Sequence, residues 1–158
     1  MSTLSGITDY AELNKTLEGQ KKQFKGNELM GKTLGVVGLG AIGSLVAEMA
    51  LDFGMQVVGY DPALSVEAAW RLSSRVVKAD SLSALFARSD FVTLHLPVLD
   101  TTRQLIDASM FAAMRQGTCL LNFARDEIVD SAALMNALES GKLRMYVCDF
   151  PRREFMGR

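Results

Sequence analysis

Short apolar runs alternate with stretches of helical period along most of the chain. Thr33–Val37 is apolar and β-branched and suits a parallel strand buried on both faces. A helix follows from Ala41 to about Phe53, and Met55–Tyr60 returns as a second strand. Ser65 is placed to cap a helix through VEAAWRL, with Val66, Ala69, Trp70 and Leu72 as its apolar side and Trp70 as the packing anchor. Arg75–Val77 predicts a short third strand, and Asp80 or Ser81 opens a helix that turns Leu82, Leu85 and Phe86 inward. Phe91–Leu96 is the fourth strand, ended by Pro97; a helix over Ala108–Met114 stops at Gly117; Thr118–Phe123 is the fifth strand. Asp130 caps a helix that faces Leu134, Ala137 and Leu138 inward and ends at Gly141, before a sixth strand over Leu143–Phe150. Strict alternation of strand and helix predicts an α/β fold, a doubly wound, mostly parallel sheet with helices on both faces and strand order 3-2-1-4-5-6.

Upstream, Thr8 to about Gln23 reads as a helix with Tyr10, Leu13, Leu17 and Phe24 on its apolar side, and Lys25–Gly31 as a linker. The expected organisation is therefore a helix and linker over residues 1–31, a domain over 32–151 and a short C-terminal segment over 152–158.

The stretch from Lys32 to Asp61 adds chemistry to this pattern. Gly38, Gly40 and Gly43 form GxGxxG between a strand and a helix: a tight turn, a close backbone approach to a pyrophosphate, and close packing of helix on sheet. The helix start at Ala41, Ile42 and Gly43 aims free N–H groups at the phosphates. Asp61, 18 residues after Gly43, ends the second strand between Tyr60 and Pro62, where its carboxylate can accept from ribose hydroxyls and repel a 2′-phosphate. Together these describe a Rossmann fold with a dinucleotide site that prefers NAD. A glycine turn in another α/β protein, such as a methyltransferase or a nucleotide-sugar enzyme, is the competing reading.

Composition narrows the rest. A chain of 158 residues has room for one sizeable core but not for a nucleotide domain plus a full substrate domain. Its 17 basic and 18 acidic residues are interspersed, which argues against a nucleic-acid partner. No apolar run reaches membrane-spanning length and the polar start is unlike a signal peptide, so the cytoplasm is the expected location. Cys119 and Cys148 fall in expected interior strands and read as core residues, and no metal-ligating cluster is evident.

Ligands in such a sheet sit beyond the carboxyl ends of the strands where the order reverses. Besides Asp61, those ends carry His95–Pro97, Asn122–Arg125 and Asp149–Glu154. His95, the only histidine, reads as a structural imidazole or a wall of the cofactor cleft in preference to an acid or base. Asn122 can serve loop backbone or a ribose. Arg125 can clamp a substrate carboxylate with two parallel hydrogen bonds, or form a solvated pair with Asp126 or Glu127.

The strings VVGLGAIG, GYDP, LHLP followed by Thr101 and Thr102, and GTCLLNFARDEIVDSAALMNALESGKL resemble the cofactor domain of D-isomer-specific 2-hydroxyacid dehydrogenases. DPALSVEAAWRLS, LLNFAR and YVCDFP resemble, more narrowly, bacterial D-3-phosphoglycerate dehydrogenases. The resemblance implies NAD as cofactor, contacted by the glycine turn, by Tyr60 to Pro62, by His95, Leu96, Pro97 and Thr102, by Asn122, Phe123, Ala124 and Arg125, and by Asp149. It also implies that Arg125 binds the 2-oxo or 2-hydroxy acid and that Glu154, in DFPRRE, assists a catalytic histidine. Asp126 stands where the family usually has glycine. The family's substrate domain and its histidine have no counterpart in these residues, so the chain is expected to be inactive alone; a homodimer is the implied assembly. Another 2-hydroxy acid substrate, such as lactate, glycerate or an erythronate phosphate, and a non-catalytic NAD(H)-binding module are the alternatives.

Overall fold

The computed structural model describes residues 29–148. Six parallel strands form one sheet in the order β3-β2-β1-β4-β5-β6: β1 Thr33–Val37, β2 Gln56–Tyr60, β3 Val76–Lys78, β4 Phe91–Leu94, β5 Thr118–Asn122 and β6 Leu143–Cys148. The crossovers are α1 Ala41–Asp52, α2 Val66–Arg71, α3 Leu82–Arg88, α4 Ala108–Ala113 and α5 Ser131–Glu139, with a 3-10 turn at Asp126–Ile128 before α5. The expected strand order is therefore the observed one.

Two-residue periodicity divides the apolar strand residues between two cores. On one face Val36 and Val57 pack with Leu39, Val46, Ala47 and Ala50 under α1. On the other, Val37, Val58 and Val92 pack with Leu85, Phe86 and Leu134 of α3 and α5. Gly35 marks how closely α3 approaches β1, since a Cβ there would collide with Ser89 and Leu85. The Ser89 hydroxyl is buried and donates to the Leu85 carbonyl (2.6 Å). Cys119 and Cys148 are buried and form no disulfide, in keeping with the expected core role.

Register aligns the ends that matter. Val37 pairs with both Tyr60 and Leu94, and Leu94 with Asn122, so β1, β2, β4 and β5 finish at one level. The glycine turn, Asp61, His95 and Phe123 thus leave the sheet side by side. The order reverses between β1 and β4, which puts the crevice there.

Several expectations need correction. Trp70 is no packing anchor: it is 85% exposed and Val66 74% exposed. Helix α2 precedes β3, the last strand on that side of the sheet, so Val66 and Trp70 have no element beyond them and only Ala69 and Leu72 of the expected apolar side are half-buried. Leu64 before the helix and Leu72 after it pack on the core instead. The third strand lies one residue later than expected, because Arg75 stays in the preceding loop, 3.9 Å from Asp52. The fourth strand ends at Leu94 and the fifth at Asn122, leaving His95, Leu96 and Phe123 in the connections. The Thr8–Gln23 helix, the end of the sixth strand, Asp149 and Glu154 lie outside the described residues.

Candidate functional site

The glycine turn is held by its own backbone and by Asp61. The Gly38 N–H donates to the Tyr60 carbonyl (2.9 Å), and the Leu39 N–H donates to Asp61 Oδ2 (2.8 Å). Asp61 Oδ1 accepts from the Ala63 N–H (2.9 Å), which fixes the bend through Pro62. Each carboxylate oxygen has accepted once and keeps a second lone pair, so Asp61 can still receive two hydroxyl protons. Gly38 has φ +95°, and a Cβ on it would lie 2.6 Å from the His95 carbonyl oxygen. A Cβ on Gly43 would collide with the Gly38 carbonyl. At Gly40, in contrast, a Cβ would meet nothing within 4 Å. Gly40, Ala41 and Ile42 are exposed at this opening.

Four of the five described helices begin with a side-chain cap. Ser65 accepts from the Ala68 N–H, Ser81 from Ala84, Asp107 from Met110, and Asp130 from Ala132 and Ala133. Helix α1 begins at Gly40 with no side-chain cap and no acidic residue in its first turn. Its unmet N–H groups and positive dipole end therefore face open space beside Asp61, an arrangement that fits a pyrophosphate joined to a ribose.

Across the crevice, the His95 N–H donates to the Val37 carbonyl (2.7 Å) and extends the β1–β4 ladder by one rung. The imidazole stacks on Phe123, centroids 5.2 Å apart and planes 8° from parallel, and its Nε2 lies 2.9 Å from Thr93 Oγ1. Burial pushes its pKa down to about 4, so the ring is neutral at pH 7. These contacts commit the ring to Phe123 and Thr93.

Other expected site residues spend their polar groups on the loops themselves. Thr102 is buried; its hydroxyl donates to the Pro97 carbonyl (2.7 Å) and accepts from the Leu99 N–H (2.7 Å). Asn122 donates to the Arg125 carbonyl (3.2 Å) and the Tyr146 hydroxyl (3.1 Å) and accepts from the Ala124 N–H (2.9 Å). Of its two alternatives, loop backbone is the role these contacts describe. They bend the chain so that Arg125 leaves β5 with its side chain 61% exposed and its Nε 4.0 Å from Glu127 Oε1. The sequence reading missed the Leu39–Asp61 clamp, for which no local pattern exists. It named Glu127 only as a solvated partner, although Glu127 Oε1 is enclosed.

Residues 1–156 match the family described as D-isomer specific 2-hydroxyacid dehydrogenase, NAD binding domain. The chain belongs to that family. It is 42% identical over 132 residues to the D-3-phosphoglycerate dehydrogenase of Methanocaldococcus jannaschii, a match covering 84% of this chain and 25% of the relative. It is 41% identical over 124 residues to the hydroxypyruvate reductase of Thermotoga maritima, covering 78% of this chain and 39% of that one. The D-lactate dehydrogenase with NAD+ from Lactobacillus jensenii is similar in structure, with TM-score 0.69 and 32% identity over 80% of this chain and 38% of its own. The chain thus spans about a quarter to two fifths of the length of these relatives. Among the described residues no group of three potential metal ligands occurs, and no helix is long and apolar enough to cross a membrane.

Proposed function

We propose that the chain forms the cofactor half of an oxidoreductase that oxidises a D-2-hydroxy acid with NAD, most specifically 3-phosphoglycerate to 3-phosphohydroxypyruvate at the first step of serine synthesis. The observation that carries the cofactor reading is the uncapped start of α1 opposite a carboxylate locked to the glycine turn. The relatedness to D-3-phosphoglycerate dehydrogenase supports the substrate. Nearly equal identity to hydroxypyruvate reductase favours a second reading, another small 2-hydroxy acid at the same site.

In this reading the α1 amides and Gly40 hold the pyrophosphate, Asp61 accepts from the adenosine ribose, and the His95–Phe123 stack walls the cleft. NAD supplies the acceptor for the hydride that leaves the substrate carbon. Arg125 fixes the substrate carboxylate through its planar donor fork. The hydroxyl proton goes to a histidine supported by Glu154. His95 is unsuited to that task, because burial makes it a weak base and its ring is committed to Thr93 and Phe123. The assembly is a cytoplasmic homodimer, for which light scattering is the direct check.

Calorimetric titration with NAD and NADP tests the reading. Wild type is expected to prefer NAD, and D61A to narrow the preference by roughly tenfold, about 1.4 kcal/mol, through lost repulsion of the 2′-phosphate. The ratio is the informative quantity, since D61A also removes the acceptor of the Leu39 and Ala63 amides. Equal affinities in the wild type remove Asp61 from its assigned role. The chain alone is expected to give no turnover with 3-phosphoglycerate, measured at the nicotinamide absorbance.

A further inference from the structure

Glu127 lies two residues beyond Arg125, inside the 3-10 turn Asp126–Ile128. That turn is anchored from several sides. Ile128 and Val129 are buried, the Ile106 N–H donates to the Ile128 carbonyl (3.0 Å), and the Asp130 N–H donates to the Ile106 carbonyl (3.0 Å). The Gln104 N–H donates to the carbonyl of Glu127 itself (2.7 Å). Gln104 does so at φ 51°, the only non-glycine residue with positive φ among the described residues. The β4–α4 connection thus accepts an unfavourable backbone conformation, of order 1 kcal/mol, where it meets Glu127.

The side chain that this backbone presents is directed at Arg125. Glu127 Oε1 is enclosed, has no hydrogen-bond partner among the described residues, and lies 4.0 Å from Arg125 Nε. An enclosed carboxylate oxygen is costly unless a donor or a cation stands near it, and the Arg125 guanidinium approaches this one to 4.0 Å. An exposed arginine side chain samples many rotamers, whereas two parallel hydrogen bonds to a carboxylate need the guanidinium plane in one orientation.

We infer that Glu127 is the positioning residue for Arg125, a backbone-anchored carboxylate that engages Nε and sets the plane in which the guanidinium meets the substrate carboxylate. The assignment rests on the proposed role of Arg125.

The test is nitrogen-15 relaxation and hydrogen exchange at the Arg125 Nε–H of the purified chain, with the exposed Arg88 as internal reference. In wild type the Arg125 Nε–H should be rigid and exchange at least roughly tenfold more slowly than that of Arg88, the protection expected of a hydrogen bond to a charged group. E127Q and E127A should bring it to the Arg88 level, and E127D should restore part of the protection, at unchanged thermal midpoint. An Arg125 as mobile as Arg88 in wild type overturns the inference, as does protection that survives in E127A. The wild-type spectrum is decisive by itself even where a variant folds poorly. NAD titration of the same sample is read separately. Protection of Arg125 without NAD binding sinks the functional reading and leaves the contact standing; NAD binding with a mobile Arg125 does the reverse.

Discussion

The loop after β1 and the loops after β4 and β5 treat their strand ends in opposite ways. After β1 the chain places three glycines, leaves α1 uncapped, and uses its one nearby carboxylate, Asp61, to hold the Leu39 amide from below. After β4 and β5 it turns polar side chains inward: Thr102 onto Pro97, Asn122 onto Ala124 and Arg125, and Asp130 onto the first amides of α5. The first half, the loop after β1, keeps donors unmet at a helix start. The second half, the loops after β4 and β5, satisfies its helix start and projects Arg125 and Glu127 instead. Under the proposed function the first loop would serve an anion that spans it and the second a substrate held by side chains, and the omitted cap is then the feature that distinguishes the cofactor end.

The largest expected effect lies in the second half and concerns the neutral imidazole of His95. Burial lowers His95 from 6.5 to about 4. Between those values an unfolded chain takes up a proton that the folded chain does not, so stability is full above pH 6.5 and falls as pH drops toward 4. The loss attributable to this ring is about 3 kcal/mol. Urea unfolding of wild type and H95Q from pH 7 to pH 4 measures it as the difference between their slopes. Parallel curves would mean that the ring is protonated in the fold and does not form the dry stack with Phe123.

The next effect breaks the comparison directly by giving the first half the cap it lacks. Gly40 has φ −71° and ψ −160°, a conformation open to any residue, and space in front of it. G40D should therefore fold normally and cap α1 with its own carboxylate. It then occupies the amides and adds a like charge where a pyrophosphate would sit, costing about 2 kcal/mol of NAD affinity, roughly 30-fold. Unchanged NAD affinity in G40D, measured by calorimetry, would remove α1 from the cofactor site.

The halves also differ in how readily the sequence discloses them. Glycine spacing, the caps Ser65, Ser81 and Asp130, and the strand order are carried by local pattern, because each depends on residues within a few positions and on the fixed hand of crossovers. The Leu39–Asp61 clamp spans 22 positions and the Asn122–Tyr146 hydrogen bond 24, so nothing local announces either. Trp70 shows the opposite failure. Helical periodicity says which residues share a side, but burial of that side requires an element beyond it, and at β3 the sheet ends. Glu127 reads locally as an ordinary charged neighbour of Arg125; the hydrogen bond from the Gln104 N–H that holds its carbonyl comes from more than 20 positions away.

The smallest effect sharpens the comparison from the other side. Asp130 Oδ1 accepts from the Ala132 (3.0 Å) and Ala133 (3.3 Å) amides, the positions at which α1 has no side-chain acceptor. Removing this cap in D130A makes the start of α5 resemble that of α1. If the uncapped start of α1 serves a ligand, uncapping α5 should cost stability alone: about 1 kcal/mol in urea unfolding, the usual worth of an Asp cap. D130N should recover most of it, since an amide oxygen accepts the same hydrogen bonds. NAD affinity should stay within about twofold in both, because under 0.5 kcal/mol is expected from a site with no direct contact. A D130A chain that loses stability and NAD affinity together would show that the two loops form one coupled unit, and the division of labour between the halves would have to be abandoned.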